Sequence, residues 1–254
     1  MRSTLREIAS VLGIIAVAFA VWELAVRLLD PPSIILPAPS AIFAEFLQAP
    51  AYFLRQTGFT IYTTLAGFGL AALLGLVLAV GIVHSRLLEK SVYTLLVALN
   101  SVPKVALAPL FVIWMGTGIE PKIAIALMLA LFSVVIDAVL GLRSVDPDML
   151  NLARISRASQ LAILLKIRLP NALPSIFAGL KVAISFALVG AIVGEFVAGS
   201  EGLGFAILTA QGQFDTPRVF VCLILLGILG TFLFYVVEGA ERLALPWHVS
   251  QRER

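Results

Sequence analysis

Charged residues are scarce in this chain: only 13% of its 254 residues are Asp, Glu, Lys or Arg, about half the share in a soluble domain. Hydrophobic residues make up 60% of it, and the mean hydropathy over the whole length is +1.04. These values exclude a disordered chain and a purely water-soluble fold, because so much apolar surface must be solvated by lipid or by other membrane segments. The composition predicts a polytopic membrane protein.

Cysteine and histidine are nearly absent too. The single cysteine, Cys222, lies within an apolar run, so the sequence excludes an intrachain disulfide and a cysteine metal cluster. The two histidines, His84 and His248, are isolated, and the sequence has no HExxH-type zinc motif. An intramembrane metalloprotease is therefore disfavoured. An aspartyl enzyme is disfavoured as well, because Asp137 has no second aspartate at membrane depth.

The excess of positive charge is only +3, and the basic residues are dispersed between apolar runs. This distribution is typical of the cytoplasmic loops of membrane proteins and not of a nucleic-acid-binding surface. We therefore predict contact with membrane lipid and no nucleic-acid partner.

Six apolar stretches are long enough, at roughly 20 residues each, to cross a bilayer as helices. They cover residues 8–29, 60–83, 92–115, 122–142, 174–198 and 218–240. The first stretch resembles a signal peptide, but its apolar run continues to Leu29, so we predict a retained helix. The predicted fold is all-α and polytopic, with residues 1–254 forming a single transmembrane domain.

The basic residues also predict the orientation of the chain. With the amino terminus in the cytoplasm, most of them fall on cytoplasmic segments, and only four fall outside: Arg27, Arg55, Lys122 and Arg218. Short loops rich in Lys and Arg stay cytoplasmic. Both termini are therefore predicted to be cytoplasmic.

Two connections are too long to be simple turns. The external stretch 30–59 is rich in proline, which predicts a stiff loop with room for one short helix near the membrane interface. The cytoplasmic stretch 143–174 contains the pair Asp146 and Pro147, which is typical of a helix start with Asp146 as N-cap. Apolar residues then recur at helical spacing among basic ones, which predicts a folded helical element.

The segment 151–170, NLARISRASQLAILLKIRLP, resembles the cytoplasmic signature of binding-protein-dependent ABC importer permeases. That signature reads EAA, three residues, G, nine residues, then I-x-L-P. The residues at the signature positions are Asn151, Leu152 and Ala153 for the triplet, Arg157 for the glycine, and Ile167, Leu169 and Pro170 at the end. The spacing matches throughout, while Asn151, Leu152 and Arg157 differ from the signature residue types.

The resemblance covers nearly the whole chain. The stretches 36–46, 99–118, 141–159, 169–183 and 194–207 look like the sulfonate, taurine and nitrate permeases, a group that includes importers of pyrimidine and riboflavin-type heterocycles. This resemblance implies a type I importer permease fold in a bacterial plasma (inner) membrane. It also implies a permease homodimer, two ATP-binding subunits, and a periplasmic or lipid-anchored substrate-binding protein.

The resemblance further implies which residues bind the ATP-binding subunit: Asn151, Leu152, Ala153, Arg154, Arg157, Ala158, Ile167, Leu169 and Pro170. ATP and Mg would be held by that subunit, since the sequence has no GxxxxGK[ST] phosphate loop. We therefore predict that the chain is not an enzyme and binds no cofactor itself. A surface helix on anionic lipid headgroups is the alternative, because Arg154, Arg157, Lys166 and Arg168 are all basic.

Ionisable residues at membrane depth are costly and usually face a bundle interior or a watery cavity. Lys104, Asp137 and Glu195 are such residues, and with Asn100 they form the predicted substrate pathway. A buried pair of Lys104 with a carboxylate that merely joins helices is the alternative. Three glycines after the fifth stretch are expected to shape an external turn next to Glu195: Gly199, Gly202 and Gly204.

These features predict the membrane subunit of an ATP-driven importer of a small solute. Three substrate classes stay open: an organic anion such as a sulfonate, nitrate, or a small heterocycle. The alternative is an ion-coupled secondary transporter in which Asp137 and Glu195 carry protons.

The predicted topology can be tested with introduced cysteines and a membrane-impermeant thiol reagent. A cysteine at Gln48 should be labelled from outside, and one at Ser250 from inside, because the basic residues place these positions on opposite faces. Labelling of both positions from one face would show that the number of spans is wrong.

Overall fold

The fold is described from a computed structural model that covers residues 2–93, 98 and 102–246. Within those ranges the chain is helical and has no strand, as predicted. The main helices are α1 (Arg2–Leu29), α2 (Pro39–Gln48), α3 (Pro50–His84), α4 (Ala108–Met115), α5 (Glu120–Arg143), α6 (Pro147–Ile155), α7 (Leu169–Ala198), α8 (Leu203–Gly212) and α9 (Thr216–Ala244). Shorter helical turns cover Arg86–Leu88, Glu89–Tyr93, Lys104–Leu107, Gln160–Ile163 and Leu164–Arg168.

Four of the six predicted spans coincide with helices that are long and apolar enough to cross a membrane. These are α3, α5, the continuous stretch Gln160–Ala198 that ends with α7, and α9. The first predicted span is covered by α1, which has 28 residues. The third lies partly outside the described residues, and its described end consists of the turn Lys104–Leu107 and α4.

Two helices begin before the boundaries predicted for their spans. The helix α3 begins at Pro50, so the second half of the predicted external loop 30–59 is helical. A proline in the first helical turn costs nothing, since its missing N–H would have no partner there. The predicted fifth span begins at 174, yet helical structure starts at Gln160 and continues through Pro174. The predicted short helix in the external loop is present as α2.

The centre of the fold is an antiparallel pair formed by α5 and α7. A Cβ added at any of four glycines would lie only 2.6 to 2.8 Å from an atom of the opposite helix: Gly141, Gly179, Gly190 and Gly194. Buried alanines fill the positions between them, among them Ala126, Ala130, Ala183, Ala187 and Ala191. Small residues therefore let the two backbones approach closely, as packing within a bilayer requires.

Other helices pack around this pair. The helix α3 contacts α5 through Gly67, where a Cβ would lie 2.4 Å from the Cβ of Ala126. The helix α9 packs on α7 through leucines that include Leu188, Leu229 and Leu233. A separate cluster around the buried Phe53 joins α2, α3, α8 and α9.

The close contact of α5 and α7 predicts a large effect of one methyl group. Gly190→Ala should lower the stability of the protein by about 1–3 kcal/mol, because the new Cβ meets backbone atoms of Ala126 that cannot move aside. Gly69→Ala is the matched control, since no atom lies within 4 Å of its Cβ and alanine favours helix. Thermal unfolding in detergent compares the two. An equal or higher midpoint for Gly190→Ala would contradict the close packing of α5 on α7.

Candidate functional site

The predicted cytoplasmic element is present as α6, and its start is capped as predicted. The side chain of Asp146 accepts a hydrogen bond from the backbone N–H of Asp148 at 2.8 Å, and Pro147 is the first helical residue. This cap satisfies one of the donors that a helix start leaves without a partner inside the helix.

The end of α6 explains why the signature has a glycine at its seventh position. Arg157 has φ = 55°, in the left-handed region that favours glycine. Its N–H donates to the Arg154 carbonyl at 2.9 Å, and the Ala158 N–H donates to the Ala153 carbonyl at 3.0 Å. These two bonds form a Schellman motif in which Arg157 holds the position that is usually glycine.

The residues of the predicted ATPase-binding set point in different directions. Ala153 is only 9% exposed and faces its own chain, whereas Leu152 is 65% exposed. Asn151, Arg154, Arg157 and Pro170 are exposed, and Ala158, Ile167 and Leu169 are half-buried. Ala153 therefore packs within this chain, and an aspartate introduced at this position would be buried here and not in a groove of the partner. Sequence reasoning missed two exposed apolar side chains on α6, Met149 at 53% and Ile155 at 80%, which lie three residues on either side of Leu152.

Both core helices are tied together where α6 begins. Arg168 donates to the carbonyl of Leu142 at 2.9 Å, and the Asn171 amide donates to the Ser144 hydroxyl at 2.9 Å. Arg143 forms a salt bridge with Glu89 at 2.9 Å. The segment that carries α6 is thus fixed to the ends of α5 and α7.

Lys104 and Asp137 line the same cavity, which has a volume of about 540 Å³. The ammonium of Lys104 lies 5.0 Å from the centre of the Phe132 ring, within the range of a cation–π contact. Asp137 is packed against Gly179 of α7, where an added Cβ would lie 2.9 Å from its carboxylate. Asn100, which was also predicted to belong to the substrate pathway, lies outside the described residues.

Glu195 lies elsewhere, in a polar cluster that holds the start of α8. Its carboxylate accepts hydrogen bonds from the Thr60 hydroxyl at 2.8 Å and from the Gly204 N–H at 2.7 Å. The Thr60 hydroxyl accepts from the Leu203 N–H at 2.9 Å, and Gln56 accepts from the Gly202 N–H at 2.6 Å. Three consecutive N–H groups of this helix start are therefore capped by side chains of α3 and α7.

The glycines beyond the fifth span have the predicted role of shaping a turn next to Glu195. Gly202 has φ = 108°, and an added Cβ there would lie 2.2 Å from the Glu195 carboxyl carbon. Only glycine therefore leaves room for the carboxylate.

Sequence reasoning placed Lys122 at the outer end of the fourth span but missed its burial. The structure has it in the first turn of α5, 1% exposed, with its ammonium donating to the Gly118 carbonyl at 2.8 Å. Its side chain also packs on Gly194, in the turn of α7 that carries Glu195. The absence of a side chain at Gly194 makes room for Lys122 there.

The left-handed position of Arg157 predicts a stabilising substitution. Arg157→Gly should raise the stability of the end of α6 by up to about 1 kcal/mol. The relief of left-handed strain, roughly 1–2 kcal/mol, exceeds the roughly 0.5–1 kcal/mol of chain entropy that glycine adds. Hydrogen exchange of the α6 amides measures the change. The control Arg154→Gly, in the right-handed helix, should cost about 1 kcal/mol, and an equal loss in both variants would contradict the assignment.

Comparison with known proteins supports the family that the signature segment suggests. The model of the family described as "Binding-protein-dependent transport system inner membrane component" matches residues 71–243. The riboflavin transport system permease protein RibX of Chloroflexus aurantiacus is 37% identical over 90% of this chain and 86% of its own length. The formylaminopyrimidine transport permease protein ThiX of Halalkalibacterium halodurans is 32% identical over 91% of this chain and 92% of its own length.

Two further matches agree with these. The aliphatic sulfonates transport permease protein SsuC of Bacillus subtilis, which is named as putative, is 31% identical over 92% of this chain and 86% of its own length. The permease of the inward-facing MetNI methionine ABC transporter has the same fold, with a TM-score of 0.69 at 18% identity, covering 78% of this chain and 98% of the other. The chain belongs to the family of binding-protein-dependent transport system inner membrane components, as an ABC importer permease of the sulfonate and nitrate group.

Proposed function

We propose that this permease works as a homodimer with two ATP-binding subunits and receives a small solute from a soluble binding protein. The family itself is defined by dependence on a binding protein, which supports that partner. In this proposal the complex lies in a bacterial inner membrane with both termini of the permease in the cytoplasm. ATP and Mg belong to the partner subunits.

The observation that carries the ATP-binding partner is the docking face of α6, which consists of Met149, Leu152 and Ile155. These three apolar side chains recur every three residues, and all are more than half exposed. They lie on a capped helix whose remaining exposed residues are mostly polar or basic, outside the long apolar helices. An exposed apolar face of this kind is typical of a helix that binds in an apolar groove on a partner. Arg154 and Arg157 place positive charge beside the docking face.

The same segment suits the transmission of movement. A separate ATPase can move membrane helices only through a rigid contact with two discrete positions. The bonds of Arg168 to Leu142 and of Asn171 to Ser144 fix both ends of the connection that carries α6 to the two core helices. A displacement of α6 would therefore be passed to α5 and α7 together.

The ion-coupled alternative finds less support. It requires Asp137 and Glu195 to exchange protons with water along a common route. Asp137 lines the cavity that contains Lys104, but Glu195 is 1% exposed and its carboxylate accepts hydrogen bonds at the start of α8. The two carboxylates therefore serve different parts of the fold.

For the substrate, we propose passage of a small solute along the cavity that Lys104 and Asp137 line. The relatives named above transport riboflavin, formylaminopyrimidine or aliphatic sulfonates by their names. The proposed classes are thus an organic anion, nitrate or a small heterocycle.

A single negative charge on the docking face should weaken binding of the ATP-binding subunit. Ile155→Asp in the full chain should reduce recovery of the co-expressed ATP-binding subunit at least tenfold, because burying a carboxylate in an apolar groove costs several kcal/mol. The permease should still insert and purify, since Ile155 is 80% exposed. Co-purification from the membrane measures the effect.

The matched control is Ile35→Asp, the same change at a residue that is 68% exposed and precedes α2. It should leave recovery of the ATP-binding subunit unchanged. Unchanged recovery with Ile155→Asp would contradict the docking face and favour a surface helix on lipid headgroups.

A further inference from the structure

The cavity between α5, α7 and the turn before α4 contains a cation and a carboxylate together. Lys104 comes from the turn and Asp137 from α5, and Ser133 adds a hydroxyl. The volume, about 540 Å³, lies within the range of small-molecule sites. The remaining lining is aliphatic and aromatic, with Phe132 on α5 and Phe186 on α7.

The charges of this lining cancel. Lys104 and Asp137 are its only ionisable residues among the described part of the chain. A solute with a full negative charge would gain from Lys104 but be repelled by Asp137. The cavity therefore disfavours a net charge of either sign.

The rings of the lining favour a planar ligand. Phe132 already receives the ammonium of Lys104 at 5.0 Å, and Phe186 is 46% exposed on the α7 side. Aromatic rings bind best to other rings in stacked or edge-to-face contact. A ring whose edge carries both carbonyl acceptors and N–H donors could accept from Lys104 and donate to Asp137.

We infer that this cavity binds an aromatic heterocycle without net charge, and that Asp137 is the residue that excludes anions. The inference rests on the proposed function and narrows its three substrate classes to one. Specificity then comes from repulsion of anions by Asp137 as well as from the hydrogen bonds and ring contacts that attract a neutral ring.

The test is equilibrium binding to the full chain in lipid nanodiscs, with the ATP-binding subunits co-purified. Uracil and orotate share one ring, but orotate carries a carboxylate, so they form a matched pair of probes. Lumichrome serves as a larger neutral ring, and taurine as a zwitterion without a ring. The wild type should bind uracil or lumichrome saturably, and orotate at least tenfold more weakly than uracil.

Two variants assign the selectivity to the cavity charges. Asp137→Asn should raise orotate binding relative to uracil at least tenfold, whereas Lys104→Met should weaken orotate further. Glu120→Gln, the same kind of change at the exposed start of α5, is the control and should match the wild type. A size-exclusion profile and melting temperature like those of the wild type show that each variant is folded.

Tighter wild-type binding of orotate or taurine than of the neutral rings would overturn the inference. So would the absence of saturable binding of both neutral rings, or an unchanged orotate-to-uracil ratio in folded Asp137→Asn. Failure of the proposed function looks different, because the ATP-binding subunits would then not co-purify at all, while probe binding to the chain could still be measured.

Discussion

The close approach of α5 to α7 is the contact on which the rest of the fold depends. Lipid tails are as apolar as leucine, so helices in a bilayer gain little from hydrophobic burial and associate through close van der Waals contact. Here the contact points keep one antiparallel register along both helices: Gly194 meets Lys122, Gly190 meets Ala126, Gly179 meets Asp137, and Gly141 meets Ser175. Larger residues at these glycines would separate the helices along their whole length.

This register also decides where the ionisable residues lie. It seats Asp137 against bare backbone at Gly179, so its carboxylate is directed along the helix interface toward the cavity that it shares with Lys104. At the other end it brings Lys122 beside the turn that carries Glu195. The same packing therefore creates both a charged cavity and a polar cluster at opposite parts of one helix pair.

Much of the fold was predictable because long apolar runs and caps are local signals. The Asp146 cap, the turn of glycines beside Glu195 and the signature position of Arg157 all follow from residues close together in sequence. Span boundaries were less predictable, because a proline such as Pro50 fits the first turn of a helix as well as a loop.

The residues that sequence reasoning misplaced are those whose role depends on a distant helix. Lys122 falls at the outer end of a predicted span, and its burial depends on α7. Gln56 falls in the predicted external loop, and Thr60 is the first residue of the span that follows. Their hydrogen bonds reach residues about 143 to 146 positions away in the chain. A remote cap of this kind leaves no periodic pattern, since the acceptors and the helix start that they satisfy are on different helices.

The segment that carries α6 is joined to the cavity helix α5 at the residue before α7. Arg168 binds the carbonyl of Leu142, which lies on α5 only five residues from Asp137, or about 7.5 Å along a helix axis. A helix transmits displacement over this distance with little deformation, because each turn is held by its own hydrogen bonds. A shift of this segment that moves Arg168 would therefore move the Asp137 carboxylate relative to Lys104, which belongs to a separate turn. In the proposed transport cycle, the same residue that excludes anions would then also respond to the ATP-binding subunit.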